Sequence, residues 1–438
     1  MSYRRILATW WPLAASWLLM ALENPALSAV IARLADPEVH LAAFGGIVYP
    51  LALIIESPII MLLSASTALS KDWDSYRKLR RFMMWAGALL TALHLLVVLS
   101  PLYTFIAVHL IDAPAEILAP GRLGLLLMTP WTWAIAYRRF QQGALIRFGH
   151  SRAVGVGSLV RLGSDALVLA AGYALQTVPG IAVASAALAA GVVSEAIYAG
   201  LRVRPVLRDQ LRHAAPVTDP LTLRTFLAFY VPLALTPLFN MLNQPIGSAA
   251  LSRMPLALQS LAAWPVVSGL TFLLRSLGVA YNEVTIALLD EPSAARYLRR
   301  FANGLALITT ALLLLVTATP LAAFWFERVS ALSPPLATLA RQALWFALPT
   351  PALSVLASWH QGAIVHSRRT GGVTEAMALS LLAISAILWA GVAWGQAAGL
   401  YVGLAAFAGG GLVQVAWLWL RGRPIMRSTR ETGIRLNR

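Results

Sequence analysis

The sequence predicts an all-α polytopic membrane protein: twelve transmembrane helices in two pseudo-symmetric six-helix lobes. Three observations predict it. The chain of 438 residues is 59% hydrophobic and only 12% charged, whereas soluble domains carry roughly 25% charged residues. Apolar stretches near the length needed to cross a bilayer recur from about residue 6 to 420. The second half is also a diverged copy of the first. Trp11-Pro12-Leu13 returns in part as Val231-Pro232-Leu233. Asn24-Pro25 answers to Gln244-Pro245, Ser28 to Ser248 and Arg33 to Arg253, all at an offset of 220. Leu79-Arg80-Arg81-Phe82 returns unchanged as Leu298-Arg299-Arg300-Phe301 at 219, where Pro101 meets Pro320, Pro130 meets Pro349, and Gln142-Gly143-Ala144 meets Gln361-Gly362-Ala363. Duplicated membrane bundles are a recurring design of secondary transporters.

The expected spans of the first half lie at about 8–33, 39–69, 82–110, 121–148, 153–175 and 178–202. Those of the second lie at about 226–252, 256–282, 302–326, 336–365, 373–395 and 397–420. Backbone in lipid must satisfy its own hydrogen bonds, so these are helices. Several exceed the ~20 residues of a minimal span, so tilt or kinks are expected. An even number of helices per half gives both halves one orientation, with a pseudo-two-fold along the membrane normal. The expected lobes are residues 1–213 and 214–438, joined by a connector at about 203–225 that holds Arg204, Arg208, Arg212, Pro216 and Pro220. A central cavity between the lobes and alternating access by rocking follow from that arrangement.

The net charge of +16 invites a nucleic-acid reading, and its placement argues against one. Arg4, Arg5, Lys71, Arg77, Lys78, Arg80, Arg81, the run from Arg202 to Arg212 and the tail from Arg421 to Arg438 fall on one side. Arg33, Arg122, Arg253, Arg328 and Arg341 fall on the other. This is the positive-inside pattern, with both termini cytoplasmic and the inner (plasma) membrane as location. The expected partners are the bilayer and a small-molecule solute, with no nucleic acid, and the expected state is a monomer. The N-terminal stretch resembles a signal peptide, yet its repeat mate is an internal helix, so retention is expected. Cysteine is absent, histidines are scattered without metal spacing, and neither Lys71 nor Lys78 follows a glycine-rich loop. No cofactor, metal site or ATP site is expected, and no enzymatic activity. Asp72, Asp74, Asp290 and Glu291 read as solvated loop acids rather than a catalytic loop.

Charge inside the membrane is costly and so informative. Glu23, beside Asn24-Pro25 in the first helix, suits coupling to H+ or Na+, because proline frees carbonyls one turn upstream; Glu56 is the second such acid. In the seventh helix Asn240, Asn243 and Gln244 share one face at i, i+3 and i+4 and are candidates for solute binding. Arg138, Arg139 and Arg275 suit a carboxylate or phosphate, which guanidinium binds bidentately. Adjacent Arg138 and Arg139 cannot share one face. Arg161 and Asp165 are spaced i, i+4 as a structural ion pair. Glu195 is a further intramembrane acid, with Gln414 as its repeat mate, and a partner for Arg138 or Arg139 is one reading of it.

Two six-helix bundles, a long second helix and proline-kinked first and seventh helices resemble the MATE/MOP multidrug and polysaccharide-lipid exporters. Trp11-Pro12-Leu13, Leu41-Ala42-Ala43-Phe44-Gly45 with Tyr49, Ser57-Pro58, Pro232-Leu233-Ala234-Leu235, Pro245-Ile246 and the Gly399 start of the last helix resemble the progressive ankylosis (ANK) family. That resemblance implies export of small multivalent anions such as pyrophosphate, citrate and nucleotides. Where the ANK family carries a basic residue before the seventh-helix proline, this chain has Gln244. Other MOP branches use a first-helix acid for proton coupling, and Glu23 stands in a comparable place. Three readings follow: an ion-coupled exporter of a small anionic or amphipathic solute, a flippase for a lipid-linked polyanionic or oligosaccharide precursor, and a cationic multidrug antiporter driven by H+ or Na+.

Overall fold

The computed structural model describes residues 2–218, 220–289, 294–367 and 371–435; Asp290, Glu291 and Arg438 lie outside them. The described residues are helical almost throughout, with no strand among them. Among them ten stretches are long and apolar enough to cross a membrane. The fourth and tenth expected spans do not reach that standard. Each is two shorter helices meeting near a proline: Leu118–Leu127 with Thr129–Arg147, and Pro334–Ala347 with Thr350–His366. Proline cannot donate to the preceding turn, which is why the helix divides there. The sixth span also runs further than the hydropathy suggests. Gly180–Asp209 passes through Pro205 and ends in the 3-10 turn Leu211–His213, so the connector is shorter than expected.

The duplication is legible in the backbone. The first span breaks at Leu22, between Tyr3–Ala21 and Glu23–Ile31; the seventh breaks 220 residues on at Leu242, between Leu223–Met241 and Asn243–Ser252. Left-handed residues recur in pairs: Asp36 (φ 48°) with Leu256 (φ 56°), Asp112 (φ 60°) with Ala331 (φ 51°), and Gln176 (φ 55°) with Gly395 (φ 64°). The π-turn Phe105–Leu110 recurs as Phe324–Val329. A third π-turn, Phe44–Val48, has no mate: the counterpart stretch lies in the α-helix Ala257–Val279. A π-turn houses one extra residue in a helix. It therefore absorbs the slip in register from 220 before this point to 219 after it.

The chain forms two compact units, and their boundaries are not those of the sequence halves. One is Val30–Ala249; the other joins the residues up to Ala29 to those from Ala250 onward. Each half thus lends most of its first span to the unit built by the other. In the second unit Tyr3–Ala21 packs on Ala257–Val279, Tyr281–Leu288 and Ala294–Ala318. Ile6, Trp10 and Ala14 enter a core with Tyr281, Val284 and Trp359. The Trp10 indole N–H donates to the Leu277 carbonyl at 3.0 Å, and its ring meets Phe301 edge-on. In the Val30–Ala249 unit Leu223–Met241 packs on Tyr49–Glu56 and Ser57–Ile59. There the Tyr230 hydroxyl donates to the Pro58 carbonyl at 2.5 Å, and its ring meets Phe82 edge-on. Trp10 and Tyr230 are repeat mates, as are Phe301 and Phe82, and Leu277 and Pro58. The same aromatic anchor has been kept twice with different chemistry.

Asp72 corrects the reading of it as a solvated acid. It is buried, caps Trp73–Leu99 by accepting from the Ser75 backbone N–H at 2.9 Å, and accepts from the Val217 N–H at 3.1 Å. One carboxylate thus closes a helix start and tethers the connector. Burial pushes the pKa of Asp72 up, but the hydrogen bonds from Ser75 and Val217 outweigh it and hold the group below the usual carboxylate range.

Candidate functional site

The Val30–Ala249 unit contains a buried set of charges drawn from four spans. Thr129–Arg147 supplies Arg138, Arg139, Gln141 and Gln142; Gly180–Asp209 supplies Glu195; Ser151–Leu175 supplies Arg161 and Asp165; Tyr49–Glu56 supplies Glu56. Glu195 is 1% exposed and is clamped by two residues one turn apart. Arg138 Nη1 donates to Oε2, and Gln142 Nε2 donates to Oε1 at 2.8 Å. One turn of helix separates Arg138 from Gln142, so both side chains leave the same face, and Arg139 leaves another. The neighbouring Gln141 accepts from the Tyr76 hydroxyl at 3.0 Å.

Arg161 Nε lies 3.9 Å from Asp165 Oδ2. Asp165 sits against Gly191, where any side chain would collide with the carboxylate. Its repeat mate Gly410 makes the same close approach to Ile384, so the helix contact is shared and the charge is not.

Glu56 and Arg139 complete the set. Glu56 is buried and feels the charges of Arg138, Arg139 and Arg161, but its Oε2 has no hydrogen-bond partner among the described residues. Arg139 is half-buried, makes no hydrogen bond or ion pair with a described residue, and feels Glu56 and Glu195. An acid and a guanidinium are therefore left in one poorly solvated field, the acid able to take a proton or a cation and the guanidinium an anion. Asn240, Asn243 and Gln244 belong to the same unit; Asn240 is exposed, the others are half-buried, and Asn243 Oδ1 is buried without a hydrogen bond to a described residue.

Glu23, Asn24 and Arg275 belong to the other unit. Glu23 and Asn24 open the helix Glu23–Ile31 immediately after the break and are half-buried. Arg275 is half-buried in Ala257–Val279, and no carboxylate lies within 4.0 Å of it among the described residues. It is the repeat mate of Glu56.

Two features escaped the sequence reading. Glu195 stood out as a buried acid, but its double clamp needs the sixth helix seated on the fourth. His94 is wholly buried, with Nε2 2.9 Å from the Leu125 carbonyl and Nδ1 3.0 Å from the Thr132 hydroxyl. A carbonyl only accepts, so Nε2 carries a proton and donates to Leu125. His94 is a cross-link between helices, and nothing around it in the sequence announces that.

No protein-family model matches the sequence, and no curated protein matches it. Solved structures do match its fold. An inward-facing multidrug resistance MATE family transporter of the MOP superfamily superposes with a TM-score of 0.71 at 15% identity, covering 96% of this chain and 99% of that one. A MOP superfamily transporter from Pyrococcus furiosus, described as having a binding pocket of reverse polarity that suggests a different function, gives 0.63 at 14%, covering 97% and 96%. The lipid II flippase MurJ in an inward closed conformation gives 0.63 at 13%, covering 95% and 90%. The chain has the fold of the MATE and MOP transporters over nearly its whole length.

Proposed function

We propose that the protein is an alternating-access secondary transporter that exports a small anionic or amphipathic solute in exchange with H+ or Na+. One observation carries the anionic part: Arg275, in the span Ala257–Leu288, and Arg139, in Thr129–Arg147 of the fourth expected span, have no carboxylate within 4.0 Å among the described residues. Guanidinium stays charged at any working pH, and its attraction for an anion strengthens where water is scarce. Glu56, inside the field of three guanidinium groups, and Glu23 beside Asn24 are the acids assigned to coupling. Asn240, Asn243 and Gln244 are assigned to hydrogen-bonding the solute. The resemblance to the ANK family points to the pyrophosphate, citrate and nucleotide class. No chemical step is assigned to the protein.

Proteoliposomes loaded with pyrophosphate, citrate or a nucleotide test the reading. Arg139→Gln and Arg275→Gln keep hydrogen-bonding capacity and delete the charge. Losing a charged hydrogen bond of about 1.5–3 kcal/mol should lower anion transport by about tenfold or more in at least one variant. Unchanged anion transport in both, at matched protein content, would sink the anion reading. Efflux of cationic drugs by the wild type would favour the multidrug antiporter, and translocation of a lipid-linked polyanion the flippase.

A further inference from the structure

Away from the buried charges, the helices Thr129–Arg147 and Gly180–Asp209 leave a cavity of about 530 Å³ in the Val30–Ala249 unit. Its walls include Pro130, Trp133, Val193 and Ala196, and Tyr137 and Arg204 stand toward its basic end. Ile197 and Leu201, also on its wall, are more than half exposed, on a surface that belongs to the bilayer. From Val193 to Arg204 the helix rises about 16 Å, most of the reach of an extended fatty-acyl chain. Water has no reason to occupy an apolar slot of this kind, and lipid does.

The polar end is specific. The Tyr137 hydroxyl and the Arg204 guanidinium have no hydrogen bond or ion pair with a described residue. Tyr137 reaches the slot because position 200 is glycine; any side chain there would press on its hydroxyl. The second half is built otherwise. The mate of Gly200 is Trp419, the mate of Tyr137 is Leu356, and Arg423, the mate of Arg204, lies 3.3 Å over the Trp419 ring. One half gives its arginine an aromatic partner. The other leaves the arginine free beside an open slot and a phenol.

We propose that this groove retains an anionic phospholipid, with an acyl chain in the slot and the phosphate held by Arg204 and Tyr137. Guanidinium binds phosphate bidentately and the phenol adds a donor. The lipid is a bound component of the bundle, separate from any transported solute.

Native mass spectrometry of the full-length protein in detergent, titrated with phosphatidylglycerol or phosphatidylcholine, tests this. Wild type should bind phosphatidylglycerol more tightly. Arg204→Gln should weaken that binding about fivefold, the usual effect of one arginine near anionic headgroups, and weaken phosphatidylcholine binding less, because choline offsets the phosphate charge. Gly200→Trp should reduce binding of both lipids. Arg204 is exposed, so Arg204→Gln should unfold at the wild-type temperature without added lipid and stays informative even if Gly200→Trp folds poorly. Brominated phosphatidylglycerol should quench the fluorescence difference between wild type and Trp133→Phe. Equal affinity for the two lipids, an unaltered Arg204→Gln, or a dimer that excludes lipid from Trp133 would each overturn the proposal.

Discussion

Positions 56, 138, 139, 161, 165 and 195 hold Glu, Arg, Arg, Arg, Asp and Glu; 219 residues later the same places hold Arg275, Ala357, Ser358, Ser380, Ile384 and Gln414. The first half holds three acids and three guanidinium groups, of which Arg138 pairs with Glu195 and Arg161 with Asp165, while Glu56 and Arg139 make no ion pair among the described residues. The second replaces nearly all of them with small or neutral side chains and puts one cation where the first has an acid. The backbone scarcely registers the change, since breaks, left-handed residues and close glycines recur in both halves. Helix packing in this fold is therefore set by shape and small residues, and charge is superimposed where a function requires it.

The largest way to break this comparison is to remove one side of the clamped pair. Glu195→Gln leaves Arg138 buried without its counter-ion and should cost about 3–5 kcal/mol in unfolding experiments in detergent. Arg138→Ala combined with Glu195→Gln installs the second half's residues and should recover most of that loss. A double variant no more stable than the single one would show that the second half reached its neutral packing by other adjustments.

The next effect is on transport. Arg275→Glu gives the second half the acid of the first, and anion flux in proteoliposomes should fall further than with Arg275→Gln. Equal flux in the two variants would mean that the charge at 275 does not meet the solute. Smaller effects are expected at the aromatic anchors. Tyr230→Phe removes only the hydrogen bond to Pro58 and should cost about 1 kcal/mol. Trp10→Phe removes the bond to Leu277 together with buried ring area and should cost more, as read by urea or thermal unfolding.

The smallest effect is at Asp72. Its folded pKa lies below the usual carboxylate range, so its contribution is full above about pH 4 and is lost as pH falls through the folded value. Asp72→Asn keeps the acceptor that caps Ser75, loses the one that holds the Val217 N–H, and removes the titration. Stability at neutral pH should fall by up to about 1 kcal/mol, with a flatter acid limb in a pH series.

Much of the fold was legible because each of its determinants is local. Hydropathy gives the spans, prolines give the breaks, and Leu79–Phe82 against Leu298–Phe301 gives the repeat. The fourth and tenth spans were harder, because Pro130 and Pro349 divide helices that composition alone runs together. The site was legible as types and not as partners. Buried charge made Glu56, Arg138, Arg139 and Glu195 conspicuous, but the field of Arg161 on Glu56 and the two-residue clamp on Glu195 join separate spans. The exchange of first spans was invisible for the same reason: Trp10 and Tyr230 mark an anchor only once their carbonyl partners, Leu277 and Pro58, are known.

That exchange has a genealogical consequence. If the chain arose from a single repeat joined to its own copy, the ancestral repeat possessed both a socket and the helix to fill one, yet the two belonged to different molecules. Its first helix completed a neighbour, and the neighbour's completed it. Fusion of the genes turned mutual lending between two polypeptides into a relation within one, and freed each socket to choose its own anchor, indole in one case and phenol in the other.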